Sequence, residues 1–371
     1  MSIYGVCSRV KENLSQGWAN YKALNRKGKL RWWGNFLICN SIFIGFAVLI
    51  IWAQIYSIRW EFSSSFLASM FIHDSIARTG SALFLALGMG GIMVLGGFDL
   101  SAGRVLGLTA CITASLLQKP LADFAPKMFP GLVAPNIFLV LLLAMVFGAV
   151  IGAFNGFFVS KFKLHPFIVT LGTQLMLYGT VLWYVHLGSN GGNPISGLTD
   201  EFKELVKGSV PICGIPIPYF VFYAIAAAAI IWFIWNKTTL GKNMYAVGAN
   251  PEAANVSGVS VMKTTIMIFM IAGILYGVSG FIESARVGSN STYTGVGKEV
   301  DAILACMIGG VSVTGGAGKI RGILIGVFIV EVIPMAYESL CLPWGMLAIY
   351  KGALFLAAAA INRKRCSTIA R

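Results

Sequence analysis

Runs of about 20 predominantly apolar residues recur from residue 36 onward, each closed by a short polar stretch. None alternates over about ten residues, so the pattern predicts helices that cross a membrane and excludes a barrel. Ten runs are read as spans: 36–56, 80–97, 101–118, 136–160, 166–187, 217–235, 264–285, 300–313, 322–338 and 342–361. The eighth is short for a full crossing. A partly inserted helix is expected over 65–77, and a long polar loop over 188–216. The first run is too long for the core of a signal peptide, and no small-residue cleavage site follows it. The expected class is therefore an all-α polytopic membrane protein. Its parts are a basic N-terminal segment (1–35), a transmembrane domain (36–361) and a basic tail (362–371).

One polar interruption stands apart. Residues 236–263 carry Lys237, Lys242 and Lys263 but only one acid, Glu252. Asn250-Pro251 can start a helix, Glu252-Ala253-Ala254 favours one, and Gly258 can end it. The stretch predicts a short helix held between two spans and presented to something. The plainer alternative is a loop helix that touches only lipid headgroups.

Composition narrows the class. The chain of 371 residues is 57% hydrophobic and 11% charged, a charged share less than half that of a soluble domain. The net charge of +14 would suggest nucleic acid in a soluble protein. Here most Lys and Arg lie in segments that ten spans place on one side, together with both termini. By the positive-inside rule that side is the cytoplasm, and no nucleic-acid partner is implied. The seven cysteines are scattered and odd in number, without CxxC spacing. Cys213 and Cys341 both fall near the predicted outer face, where they are either bridged or free. Gly is abundant at 43 residues, which lets membrane helices approach closely.

Chemistry-bearing residues are few. His73, His165 and His186 are isolated, no metal-ligand spacing occurs, and no nucleophile–base arrangement is visible. Four Gly-Lys pairs lack the spaced glycine and following Ser/Thr of a phosphate-binding loop. The chain is thus expected not to be an enzyme and to bind no cofactor. Two Gly-rich breaks, 96–103 and 309–316, are alike at an offset of 213 residues. Discontinuous helices in matching places would line a transport pathway, which makes Asp99, Ser101, Gly309, Gly310 and Ser312 pathway candidates. The rival reading is that Asp99 or Ser101 caps the third span by accepting backbone N–H bonds. Glu331 and Lys351 lie at membrane depth and either pair with each other or leave Lys351 to snorkel.

Several stretches resemble the permease subunits of sugar ABC importers, the family of ribose, galactose and related monosaccharide permeases. They are Gly97-Phe98-Asp99-Leu100-Ser101-Ala102-Gly103-Arg104, Pro166-Phe167-Ile168-Val169-Thr170-Leu171-Gly172-Thr173, Asn250 through Val259, Asp301-Ala302-Ile303 and Ile308 through Ser312. Trp235-Asn236-Lys237-Thr238 with Gly241-Lys242-Asn243 is most similar to the galactose-type members. The resemblance implies a fold of the vitamin B12-importer (type II) kind with short broken helices, in the inner cell membrane. It implies as partners a second permease copy, an ABC ATPase carrying ATP and magnesium, an extracytoplasmic sugar-binding protein, and lipid. Gly248, Asn250, Pro251, Glu252, Ala253, Ala254 and Gly258 would contact the ATPase. Arg286, Asp200, Glu201 and Glu204 would face the binding protein, the alternative being solvated loop charges. One departure is visible: residues 268–271 read Ile-Phe-Met-Ile where the longer importer loop signature ends in Ile-x-Leu-Pro. Rival functions are an ion-driven secondary transporter, which would place paired acids deep in several spans, and a channel-like protein that needs no cytoplasmic helix.

Overall fold

The apolar runs fold as helices. The computed structural model describes residues 46–48, 50–52, 54–55, 69–119, 127–212, 215–340 and 342–369. The chain divides into two compact units, Met1–Ile51 and Trp52–Arg371. In the first, the described residues 46–48 and 50–51 are helical. The predicted first span, the basic 1–35 segment, Cys213 and Cys341 lie wholly or mostly outside the described residues.

In the second unit the helices are α1 (Ser69–Val94), α2 (Ala102–Leu116), α3 (Ile137–Lys161), α4 (Pro166–Val185), α5 (Asp200–Lys207) and α6 (Tyr219–Lys237), followed by α7 (Thr239–Ala249), α8 (Pro251–Val256), α9 (Val261–Val287), α10 (Lys298–Ile308), α11 (Ile320–Ser339) and α12 (Trp344–Ile369). Two antiparallel ribbons join them: β1 (Ile195–Ser196) with β4 (Ser289–Asn290), and β2 (Ser209–Ile212) with β3 (Ile215–Pro218). Among the described residues, seven helices are long and apolar enough to cross a membrane: α1, α3, α4, α6, α9, α11 and α12. Helix α2 is apolar but shorter.

Local chemistry sets the ends. Asn136 caps α3 by accepting from Phe138 N at 2.9 Å, Pro166 starts α4, and Gly288 ends α9 at φ +76°. Two expectations are corrected. The described part of the predicted 65–77 inserted helix is the first turns of α1, which runs on from Ser69 through the polar 73–80 stretch because no proline breaks it. The 188–216 loop is ordered in part: α5 buries Phe202 and Val206, and Phe202 meets the Phe281 ring edge-on at 4.8 Å.

Helices α1, α9 and α11 are the most buried of the long apolar helices, and α3, α4, α6 and α12 are the least covered. Packing of α3 on α9 rests on glycine. A Cβ on Gly148 would lie 2.0 Å from Gly273 O, and one on Gly152 would lie 2.2 Å from Phe269 O. Lipid is as apolar as leucine, so close backbone approach has to supply the association that water exclusion gives in soluble bundles.

Candidate functional site

The predicted short helix is α8, and each signal in its sequence has a geometric role. Asn250 adopts φ −160°, and its side-chain oxygen accepts from Glu252 N and Ala253 N, both at 3.0 Å. Pro251 takes the first helical position, where a missing N–H costs nothing. Gly258 is left-handed at φ +84°, which returns Val259 N to Ala254 O at 3.0 Å. Ala254 is buried beneath, while Glu252 and Ala253 face outward and Val256 is 89% exposed. Short capped α8 therefore presents Glu252, Ala253 and Val256 to whatever lies beyond it.

What holds α8 is a backbone junction. A Cβ on Gly248, at the end of α7, would lie 1.8 Å from Val94 O. That carbonyl, at the end of α1, also accepts from Gly316 N at 2.8 Å. A Cβ on Gly315 would lie 2.6 Å from Gly248 O and 2.9 Å from Gly96 N. Gly96, Gly315 and Gly316 have φ of +88°, +88° and +74°, a region open mainly to glycine. Tyr245 Oη donates to Gly318 O at 2.9 Å. The end of α1, the end of α7 and the 309–319 break thus meet main chain to main chain. An open groove of about 720 Å³ lies beside α8, lined by Gly96, Lys163, Pro166, Asn250 and Glu252 among others.

Both Gly-rich breaks are real interruptions, but they are not copies. The first runs over 95–101 and the second over 309–319. At the offset of 213, Gly96 aligns with Gly309, which has φ −65° and is not left-handed. In the first break Asp99 Oδ1 accepts from Ser101 N at 2.9 Å and Ser101 Oγ at 2.6 Å. Asn155 Nδ2 donates to Ser101 Oγ, and Thr173 Oγ1 donates to Asn155 Oδ1 at 2.6 Å. This chain ties α2, α3 and α4 together, with Asp99 and Ser101 buried. In the second break Ser312 is buried, and Asn362 of α12 donates to Val311 O at 2.7 Å. Gly309 is packed on Gly322, and Gly310 is exposed. Of the pathway candidates, Gly310 alone reaches an open surface in this conformation.

Charges at depth are paired, though not as expected. Glu331 does not meet Lys351. It lies 3.7 Å from Lys298, and Lys351 reaches Asp301 at 2.8 Å. The start of α10 lies between α11 and α12, and it brings two further charges that the spacing of 331 and 351 does not reveal. Glu283 accepts from Ser81 Oγ at 2.6 Å and from Arg286 at 2.6 and 2.7 Å, so two N–H groups of Arg286 are committed within the chain. Glu201 and Glu204 are exposed on α5. Asp200 is exposed too, and the Lys119 ammonium at 2.7 Å holds its carboxyl below the usual range.

Sequence reasoning passed over Arg104. Its guanidinium lies 4.4 Å from the centre of the Tyr178 ring and donates to Thr292 O at 2.9 Å. A single Arg near the start of a span reads as a topology charge, and only the folded chain brings the 291–297 loop against it.

The profile of the family described as "Branched-chain amino acid transport system / permease component" matches residues 71–358. The galactose/methyl galactoside import permease protein MglC of Escherichia coli is 40% identical over 301 residues, 80% of this chain and 88% of that protein. The D-allose transport system permease protein AlsC of the same organism is 32% identical over 285 residues, 76% and 81% of the two chains. The ribose import permease protein RbsC of Bacillus subtilis is 31% identical over 323 residues, 87% and 92%. No solved structure matches.

Proposed function

We propose that this chain, which belongs to the family of branched-chain amino acid transport system permease components, is the membrane subunit of an ATP-driven, binding-protein-dependent importer of galactose- or glucose-like monosaccharides. The named relatives handle galactosides, allose and ribose. ATP hydrolysis belongs to a partner ATPase. Two copies of the chain, an external binding protein, a ten-span fold of the vitamin B12-importer kind and cytoplasmic termini complete the proposal.

The observation that carries it is the seating of α8. A short helix exposed at one end of the bundle, and locked to α1 and the 309–319 break through Gly248, Gly96, Gly315 and Gly316, suits rigid-body transmission. Closure of a partner beneath Glu252 and Ala253 would push α8. Because Gly248 has no free space against Val94 O, the push passes to the inner end of α1 and to the hinge between α10 and α11. Among the described acids at depth Glu283, Asp301 and Glu331 each face a cation, whereas Asp99 and Glu299 are buried and in no salt bridge, so the ion-driven alternative is decided by collapsing the gradients.

The test is sugar uptake into proteoliposomes holding the chain with its ATPase and binding protein, with ionophores collapsing gradients. Uptake that needs ATP and the binding protein and survives the ionophores is expected. Uptake that ignores ATP and dies with the ionophores would overturn the proposal.

A further inference from the structure

The segment between α9 and α10 does not stay at the bundle's end. Cys111 Sγ lies 3.6 Å from Ser291 O, a Cβ on Gly107 would lie 2.3 Å from Thr294 O, and a Cβ on Gly103 would lie 2.4 Å from Gly295 O. The loop therefore descends along α2, seated on Gly103 and Gly107. Gly107 lies about 16 Å along the helix rise from Gln118, and Gln118 pairs with Leu198 at the end of the bundle opposite α8. Residues 291–297 are thus irregular backbone sunk near mid-membrane.

Irregular backbone at that depth is tolerated only against protein or water, not against lipid. Its outer side is uncovered in this chain: Tyr293 is 80% and Val296 51% exposed. Beside it stand Arg104, partly exposed, and Tyr178, 40% exposed. Gln174, one turn from Tyr178 on the same face of α4, adds another polar group. A guanidinium at mid-depth is costly against hydrocarbon. Its hydrogen bond is to Thr292 O, and the buried Glu299 carboxylate packed over Gly103 is a counter-charge that acts on it within the chain; its remaining N–H groups make no hydrogen bond among the described residues.

We infer that Arg104, Tyr178, Tyr293 and the 291–297 loop form a sugar-contact station midway along the translocation path. The apolar C–H face of a hexose stacks on the tyrosine rings, and its hydroxyls accept from the guanidinium, the usual mix of apolar surface and a few oriented polar groups. This rests on the importer reading and names the place in it where the sugar touches the permease.

The experiment uses the assembled transporter in proteoliposomes. Arg104→Gln, Tyr178→Ala and Tyr293→Ala are each expected to lower galactose uptake by roughly tenfold at saturating loaded binding protein. ATP hydrolysis stimulated by that protein should persist, so more ATP is used per sugar. Tyr178→Phe, which keeps the ring, should restore uptake. A Tyr293→Cys variant should react with a hydrophilic maleimide, located by mass spectrometry because the chain has other cysteines, and saturating galactose should slow the reaction. Wild-type uptake in the alanine variants, or a Tyr293→Cys thiol that stays unlabelled because a second copy or lipid covers it, would overturn the inference alone. Should the wild type itself show no ATP-dependent uptake, the importer reading falls with it. Tyr293, the most exposed of the set, keeps the test valid even if Arg104→Gln fails to fold.

Discussion

Asp99 accepts two hydrogen bonds from Ser101, and Ser101 in turn receives Asn155. Both donors need an acceptor, not a charge. Asp99→Asn keeps a carbonyl oxygen in place and is expected to leave uptake within about twofold of wild type. Asp99→Ala strands a buried N–H and should cost about 1–3 kcal/mol, read as a lower thermal midpoint in detergent. A direct role in sugar or proton movement predicts the reverse: the Asn variant inactive with its midpoint unchanged. The Asp99–Ser101 contact was readable in the sequence because Asp followed by Ser two residues on is a local signal, although the side chain of Ser101, the N-cap of α2, accepts no N–H bond from the helix. The partners of Glu331 and Lys351 were not, because a residue's depth is set by its own run whereas its neighbour depends on which helix packs beside it. Lys298 and Asp301 come from a half-helix whose position no periodicity records.

At the scale of the element, glycines decide how parts touch, and two of them in the coupling region make a contrast. A Cβ on Gly248 would lie 1.8 Å from Val94 O, whereas one on Gly258, at φ +84°, would meet nothing within 4 Å. Gly248→Val therefore must displace α7 from α1. It is expected to leave the chain inserted, with partner ATP hydrolysis retained, and to cut uptake at least tenfold, about 1.4 kcal/mol in the coupling step. Gly258→Asn meets only the conformational requirement, which Asn tolerates, and should transport like wild type. Equal behaviour of the two variants in paired uptake and ATPase assays would remove the junction from the mechanism. The existence, start and stop of α8 were legible, since caps and breakers act within a few residues. The junction was not, since it joins residues 94, 248 and 316 across the chain. The 291–297 loop shows the same limit: its Gly/Ser/Thr content marks a loop, but its depth comes from Gly103 and Gly107 on another helix.

Across the whole molecule, the two ends differ in charge. Helix α6 runs from the ribbon of β2 and β3 to α7 and α8, so Glu201 on α5 and Val256 on α8 mark opposite sides of a span. Lys161, Lys163, Lys237, Lys242, Lys263, Lys319 and Arg321 all lie near the α8 end, with Glu252 the lone acid in those segments. The opposite end mixes signs, as Lys119, Asp200 and Lys203 show. The positive-inside bias supports the proposal that α8 faces the cytoplasm, the side where an ATP-hydrolysing partner would sit. In right-side-out vesicles an impermeant maleimide should label Glu201→Cys at once and Val256→Cys only after detergent. Val256 is 89% exposed, so its silence before detergent reports sidedness and not burial. The opposite pattern would leave α8 facing the compartment of the binding protein, where no ATP is available to drive it. The importer reading would then lose its engine even with every helix in place.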